Sequence, residues 1–332
     1  MARAYREYSD AMKSGKNVTE VVLADAAGIA KAARILESGG IVAVPTETVY
    51  GLAARADSDA AVAKIYAAKG RPDFNPLIVH VRDEEQAARY AEWSEQAQVA
   101  VKSHWPGPLT MVVPAIEGTA LAKAVTAGLD TVAMRCPGHP VMRELLAMID
   151  FPLAAPSANR SGFISPTTAS HVLTSLDGRI DLVLDGGPTQ AGVESSILAI
   201  RSDGSWEELR PGPVDLDALH RNLFGAPLRS KEGEQRIEAP GQLASHYAPG
   251  KPVRLNARSA HGGEFLIGFG SVAGDCTMSA AGNLAEAAAR LYDCLHQAAA
   301  SDIPSIAVAP VPMEGVGRAI NDRLRRAAAP AD

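Results

Sequence analysis

Cysteine is scarce in this 332-residue sequence: Cys136, Cys276 and Cys294 are the only three. They are too few and too far apart for a disulfide framework, and no CxxC pair marks a zinc site. A reducing compartment suits such a chain. Aromatic residues make up 5% of the sequence, and no stacking motif for single-stranded nucleic acid is visible. Positive charge is not in excess either. The formal net charge is −6, so no bulk field draws the chain onto RNA or an anionic membrane, and nucleic-acid contact would need a local basic patch. No apolar run reaches membrane-spanning length, and the charged segment MARAYREYSDAMKSGK lacks the apolar core of a secretory signal. A cytoplasmic protein with no membrane partner is expected. The familiar nucleotide and hydrolase signatures are missing as well: no GxxxxGKS/T, no HExxH and no GxSxG. GFGSVAG at 268–274 misses the dinucleotide fingerprint by one residue and reads as a glycine-lined turn.

What remains is an ordinary globular composition, 47% apolar and 21% charged, on a chain long enough for two domains. Residues 1–17 read as a tail. Ala26, Ile29, Ala30, Ala33 and Leu36 repeat at helical spacing up to Gly39–Gly40. Short buried strands are expected at 41–44, 77–81, 110–113, 131–135, 152–156 and 182–184, with helical patterns between several of them. This is an α/β layer architecture, with spacing too irregular for a purely parallel sheet. Residues 226–250, rich in charge, Pro and Gly, read as a linker. A βαβα unit follows over 251–332, with strands at 264–269 and 305–308 and helices along Leu284–Ala298 and Gly317–Ala328.

Polar residues gather where strands should end. Pro45-Thr46-Glu47-Thr48-Val49-Tyr50-Gly51 directly follows a buried strand, and strand ends in α/β folds are where ligands bind. Lys69-Gly70-Arg71 places two cations around a glycine that permits close backbone approach, which suits a phosphate or a carboxylate. Read alone, it is better explained by a basic surface turn, and His80 by a satisfied core residue. In Ala155-Pro156-Ser157-Ala158-Asn159-Arg160-Ser161-Gly162 small hydroxyl and amide groups follow a short apolar run. Ser165-Pro166 has the signature of a helix start, with Ser165 as N-cap and free N–H groups that could face an anion. Val193-Glu194-Ser195-Ser196-Ile197 opens a strand from which Ser195 points outward, and Leu209-Arg210-Pro211-Gly212 sets an arginine before a forced turn.

PTETVYGL, KGRPxxNPLIVHV, SANxSG, ESSI and LRPG stand here in the order, and at the distances, of the YrdC-type threonylcarbamoyl-AMP synthase family, which residues 18–225 resemble. His246-Tyr247-Ala248-Pro249 and the terminal GVGRAINDRLRRAA resemble the family's long, two-domain form. The resemblance implies a YrdC-like catalytic domain of twisted mixed sheet and helices over 18–225. It also implies an active-site cover at 226–250 and a smaller Rossmann-like α/β domain over 251–332. It further implies synthesis of L-threonylcarbamoyladenylate, diphosphate and water from L-threonine, bicarbonate and ATP with magnesium. This is the first step of N6-threonylcarbamoyladenosine formation in tRNA, and a downstream threonylcarbamoyl transferase system then uses the product. Direct tRNA binding stays open. By the same resemblance Thr48, His80, Ala155, Arg135 and Ser195 would contact threonine. Arg71, Asn75, Thr131, Ser157, Asn159, Ser165, Arg210 and Tyr247 would contact ATP, and Lys69 and Arg71 would serve catalysis by offsetting phosphate charge. No residue is assigned to a protein-held metal. The linker departs from the long-form pattern. Its relatives carry a methionine and basic residues shortly before HYAP, where this chain has Gln242-Leu243-Ala244-Ser245. With no core of its own, the linker is expected to be mobile until ATP binds. Two rivals remain: an RNA-binding module of the same fold, and a carbamoyl transferase using the same pocket.

Overall fold

The computed structural model describes residues 18–202, 205–224, 237–242 and 246–330. The expected tail at 1–17, and positions 226–236 and 243–245 of the linker, lie outside them. The chain opens with β1 (Glu20–Leu23), α1 (Ala26–Glu37), β2 (Val42–Val44), β3 (Gly51–Arg55), α2 (Asp59–Lys69) and β4 (Ile78–His80). It continues through α3 (Glu84–Ala87), α4 (Glu95–His104), β5 (Leu109–Pro114), α5 (Lys123–Thr126), β6 (Thr131–Arg135), α6 (Pro140–Met148) and β7 (Leu153–Ala154). Then come α7 (Ala169–Leu176), β8 (Leu182–Asp185), β9 (Ser196–Ile200), β10 (Trp206–Arg210) and α8 (Leu216–Phe224). The last stretch holds β11 (Val253–Arg254), β12 (Glu264–Gly268), β13 (Cys276–Thr277), α9 (Leu284–Ala300), β14 (Ser305–Val308) and α10 (Gly317–Ala328).

Ten strands form one mixed sheet in the order β1-β8-β2-β3-β7-β4-β6-β5-β9-β10. Alternation along the strands splits its two faces. Val42 and Val44 pack with Ile29 and Leu36 of α1 and Leu145 of α6, while Ala43 and Leu52 pack with Val62 and Ile65 of α2 and Val172 of α7. The helix ends follow their local sequence. Asp25 caps α1 by accepting from Gly28 N, and Ser58 caps α2 by accepting from Ala61 N. Gly70, at φ 59° and ψ 41°, stops α2 in the left-handed conformation that glycine adopts most readily.

A second sheet, β11-β14-β12-β13, is parallel throughout and is packed by α9 and α10. Within it Cys276 of β13 and Cys294 of α9 form a disulfide, a pairing hidden in the sequence by their separation of 18 residues. The two sheets share a hydrophobic cluster: Val49, Ile164, Val193 and Tyr247 pack into the core around Leu291 and Ile320. The backbones come close at Gly192, whose φ is +69° and where an added Cβ would lie 2.2 Å from Ala288 O and 2.3 Å from Ala289 Cα. Gly192→Ala is therefore expected to cost about 1–3 kcal/mol by overpacking. Thermal denaturation measures it, and an unchanged midpoint would show that the seam has slack.

Candidate functional site

The loop between antiparallel β2 and β3, residues 45–50, forms one wall of a pocket. Thr46 shapes it. Its Oγ1 donates to Val49 O at 2.7 Å and accepts from Thr48 N at 3.2 Å, a hydroxyl-closed turn that leaves Thr48 facing inward. Parallel β4 and β6 end side by side, and their register pairs His80 with Arg135. Arg135 Nη1 donates to Thr48 Oγ1 at 3.0 Å and Nε to Gly107 O at 3.2 Å. Its Nη2 lies 2.7 Å from Glu47 Oε1, an ion pair set off the N–H axis, so neither carboxylate oxygen has an aligned donor. Burial pushes the Glu47 carboxyl up, yet the charge of Arg135 brings it below its ordinary value, and the carboxylate is ionised. Burial, helped by the Arg135 charge, lowers the His80 pKa to about 3. The imidazole is neutral. Its Nδ1 lies 3.2 Å from Ile78 O, which can only accept, so Nε2 is left as an acceptor.

The opposite wall is cationic. Lys69 is the last residue of α2, and the turn at Gly70 brings Arg71 round beside it. Lys69 Nζ donates to Ser157 O and Asn159 O, both at 2.5 Å. Arg71 donates from Nε to Asn75 O and from Nη2 to Asn75 Oδ1 and Pro76 O. Antiparallel β9 and β10 shift register between Glu208 and Arg210, and such a bulge re-aims a side chain. Arg210 turns into the pocket, where Nε donates to Ser195 O and Nη2 to Ser195 Oγ, each at 3.0 Å. Ser195 Oγ also lies 2.7 Å from Thr110 Oγ1. Burial depresses all three cations: Lys69 well below its ordinary value, Arg71 to about 10, and Arg210 downward. Arg71 and Arg210 line the recess as desolvated cations, with Lys69 behind them, and such a recess favours an anion.

The cover is packed in place. Arg210 Nη1 donates to Pro240 O at 3.1 Å, and Ala248 N donates to Gly162 O at 2.8 Å. Tyr247 is fully buried with a φ of 64°, a left-handed conformation rare for a bulky residue and one found at ligand clamps. Its pKa is raised to about 12 by burial, so the phenol stays neutral. His246 meets Tyr247 edge to face at 4.1 Å, and its buried Nδ1 has no hydrogen-bond partner. The described parts of the linker thus differ from the loose segment expected.

The pocket is a narrow recess that opens to solvent, with about 40 Å³ of space for water-sized groups. Thr48, Arg71, His80, Arg135, Ala155, Ser157, Ser195, Arg210 and Tyr247 all line it. Lys69, Asn75, Asn159 and Ser165 stand behind, each bonded to a lining residue or its neighbour. Thr131 stands apart, at the far end of β6, four residues and about 13 Å from Arg135. Ser165 does not cap a helix. Thr168 caps α7, accepting from His171 N, while Pro166 O accepts from Tyr50 N and Ser165 Oγ donates to Glu194 Oε1 at 2.6 Å. The 165–167 segment bridges to the β2–β3 loop, so the expected anion site at a helix start there is absent. Sequence reasoning passed over Glu194, the buried carboxylate that lines the pocket beside Ser195. The burial cost of an unpaired Glu between Val193 and Ser195 was its one signal.

Comparison with known proteins gives the same outline. The family model described as telomere recombination, for Sua5, YciO and YrdC, matches residues 34–212. The one described as threonylcarbamoyl-AMP synthase, C-terminal domain, matches 214–329. The threonylcarbamoyl-AMP synthase of Bacillus subtilis is 39% identical over 94% of this chain and 96% of its own. That of Pyrococcus abyssi is 36% identical over 89% and 92%. The crystal structure of P. abyssi Sua5 complexed with L-threonine superposes with a TM-score of 0.84 at 34% identity, covering 94% of this chain and 97% of that one.

Proposed function

The chain belongs to the Sua5, YciO and YrdC family in its two-domain form, and on that premise we propose that it makes L-threonylcarbamoyladenylate, diphosphate and water from L-threonine, bicarbonate and ATP. The observation that carries this reading is the pocket itself, where a hydroxyl-rich wall with one arginine faces a wall of buried cations. Threonine fits the first wall. Its carboxylate pairs with Arg135, which Glu47 and Thr48 hold in place, and its hydroxyl lies among Thr48, Ser195 and the Nε2 acceptor of His80. ATP fits the second. Arg71 and Arg210 offset phosphate charge, Lys69 fixes the Ser157–Asn159 backbone, and Tyr247 covers the nucleotide. The threonine amine attacks the carbon of bicarbonate and water leaves, giving a carbamate. A carbamate oxygen then attacks the α-phosphorus, and diphosphate carries away the broken bond's electrons. Such chemistry rests on positioning and charge. A closed cover suits an intermediate that water destroys.

Among the described residues no cluster of His, Cys, Asp or Glu could hold a metal, and the pocket's Glu194 is already ion-paired. The pocket would suit a magnesium ion held by the triphosphate rather than by protein ligands, which would supply charge neutralisation at the phosphates. The product would pass to a threonylcarbamoyl transferase system acting on tRNA in the cytoplasm. No described helix is long and apolar enough to cross a membrane.

The test is diphosphate release from magnesium-ATP and bicarbonate with threonine present or withheld. Release should require threonine; equal release without it, or ADP and phosphate as products, would overturn the reading. Serine should turn over more slowly through lost methyl packing, and 2-aminobutyrate more slowly still, because the pocket's hydroxyls and His80 would be left unpaired. Equal turnover of threonine and 2-aminobutyrate would rule out the hydroxyl-reading wall.

A further inference from the structure

We propose that Arg323, on α10 of the second domain, is a positioning residue of the catalytic pocket. It is wholly buried, although its helix belongs to the other sheet's core. Its guanidinium binds two separate segments of the catalytic domain at once. Nε donates to Glu194 Oε2 at 3.0 Å and Nη2 to Glu194 O at 3.4 Å, while Nη1 donates to Pro211 O at 2.6 Å. Glu194 precedes Ser195, and Pro211 follows Arg210. The two residues flanking this fork are therefore the ones whose side chains meet in the pocket through the Arg210–Ser195 bonds.

The Glu194 carboxylate accepts further bonds. Tyr292 OH of α9 lies 3.0 Å from Oε1 and 2.8 Å from Oε2, and Ser165 Oγ donates to Oε1. Burial pushes this carboxyl up, but Arg323 and Arg210 bring it down to about 2, so it is charged at any working pH. A charge buried this deeply stays only where its donors hold it, and the donors come from both domains. The network also reaches the cover. The Arg323 guanidinium stands 5.6 Å over the Tyr247 ring, and Tyr292 lies 5.7 Å from that ring. Loss of the fork would free Glu194 and Pro211 together, and with them the alignment of Ser195 toward threonine and of Arg210 toward phosphate. The inference rests on the substrate assignment proposed above.

The experiment compares the full-length wild type with Arg323→Lys, the paired variant Arg323→Met/Glu194→Gln, and Arg318→Gln. Lysine keeps the charge and loses the fork. The paired variant removes the Arg323 and Glu194 charges together, and Asp322, which also pairs with Arg323, keeps Arg326 as its partner, so this variant is expected to stay folded even if Arg323→Lys does not. Arg318 binds Glu208 and Asp217 across the same seam, away from the pocket. Threonine and ATP affinities are measured by calorimetry beside thermal midpoints. Expected is at least a tenfold loss of threonine affinity in each folded Arg323 variant, a smaller loss for ATP, and wild-type affinities in Arg318→Gln. Wild-type threonine affinity in a folded Arg323 variant would overturn the proposal, as would an equal loss in Arg318→Gln, which would mean that any loosening of the seam suffices. A wild type that binds threonine but releases no diphosphate would instead count against the proposed reaction and leave the positioning result standing on affinity alone. A wild type that binds no threonine would end both.

Discussion

Between pH 7 and pH 5 the protein is expected to lose about 6 kcal/mol of folding stability. The cause is three imidazoles kept neutral by burial: His80 and His246, each lowered from 6.5 to about 3, and His296, lowered from 6.5 to about 4. For His80 and His296 a neighbouring positive or titrating group adds to burial: Arg135 beside the first, and His171, stacked at 3.9 Å, beside the second. The sign follows from proton counts. Below pH 6.5 the unfolded chain takes up protons that the folded chain refuses, so stability falls with pH until the folded values are reached. At pH 5 each site costs about 2 kcal/mol, a serious fraction of the 5–15 kcal/mol that holds a typical fold. Ordinary carboxylates are not yet involved, and Glu194 stays charged down to about pH 2. Urea unfolding at the two pH values measures the loss, and His246→Gln should remove roughly a third of it. Equal stability at pH 7 and pH 5 would mean that these rings are charged, or open to water, in the folded protein.

Arg71→Lys is expected to lower kcat/KM for ATP by roughly ten- to a hundredfold, the value of one charge-assisted bond. Arg71 spends Nε and Nη2 on Asn75 and Pro76, and Nη1 is the other prong of the fork. A lysine ammonium is a single point. It can stay on the 75–76 carbonyls or reach a phosphate, and it cannot do both. Since Arg71 is nearly buried, the variant should also lose about 1–3 kcal/mol of stability, while threonine affinity changes little. Steady-state diphosphate release beside a thermal melt separates the two effects. Full activity in a folded variant would remove Arg71 from the phosphate site.

The sequence pointed to the pocket well wherever a polar motif sat at the end of an apolar strand. His80 and Arg135 both close such strands, and the register of β4 with β6 is what makes them neighbours. Other elements left weaker traces. β3 reads Gly-Leu-Ala-Ala-Arg, which has none of the β-branched residues that mark strands, so the hairpin around Thr48 was legible only as a strand end. Ser165-Pro166 carried every local sign of a helix start, and tertiary bonds to Tyr50 and Glu194 took the segment instead. Cys276 and Cys294 meet only because β13 packs on α9, and no spacing rule shows that. The partnership of Glu194 with Arg323 spans 129 residues and two domains, beyond any local pattern. The linker's composition spoke of looseness, yet Ala239 and Tyr247 are buried because they fill space that other elements leave.

The seam at Gly192 also bears on how such a chain can change over generations. A glycine pressed against the backbone of α9, with a carboxylate on one side answered by an arginine and a tyrosine on the other, leaves neither half free to drift alone. A side chain that grows on the loop needs a groove in the helix, and a carboxylate that shortens needs a longer reach from its partner. Substitutions along this border should therefore be inherited in matched pairs. A second domain borrowed from a distant relative would fit badly, because what it must supply is a counterpart fixed by the catalytic half it grew up with, down to the Val49, Ile164, Val193 and Tyr247 side chains that complete its core.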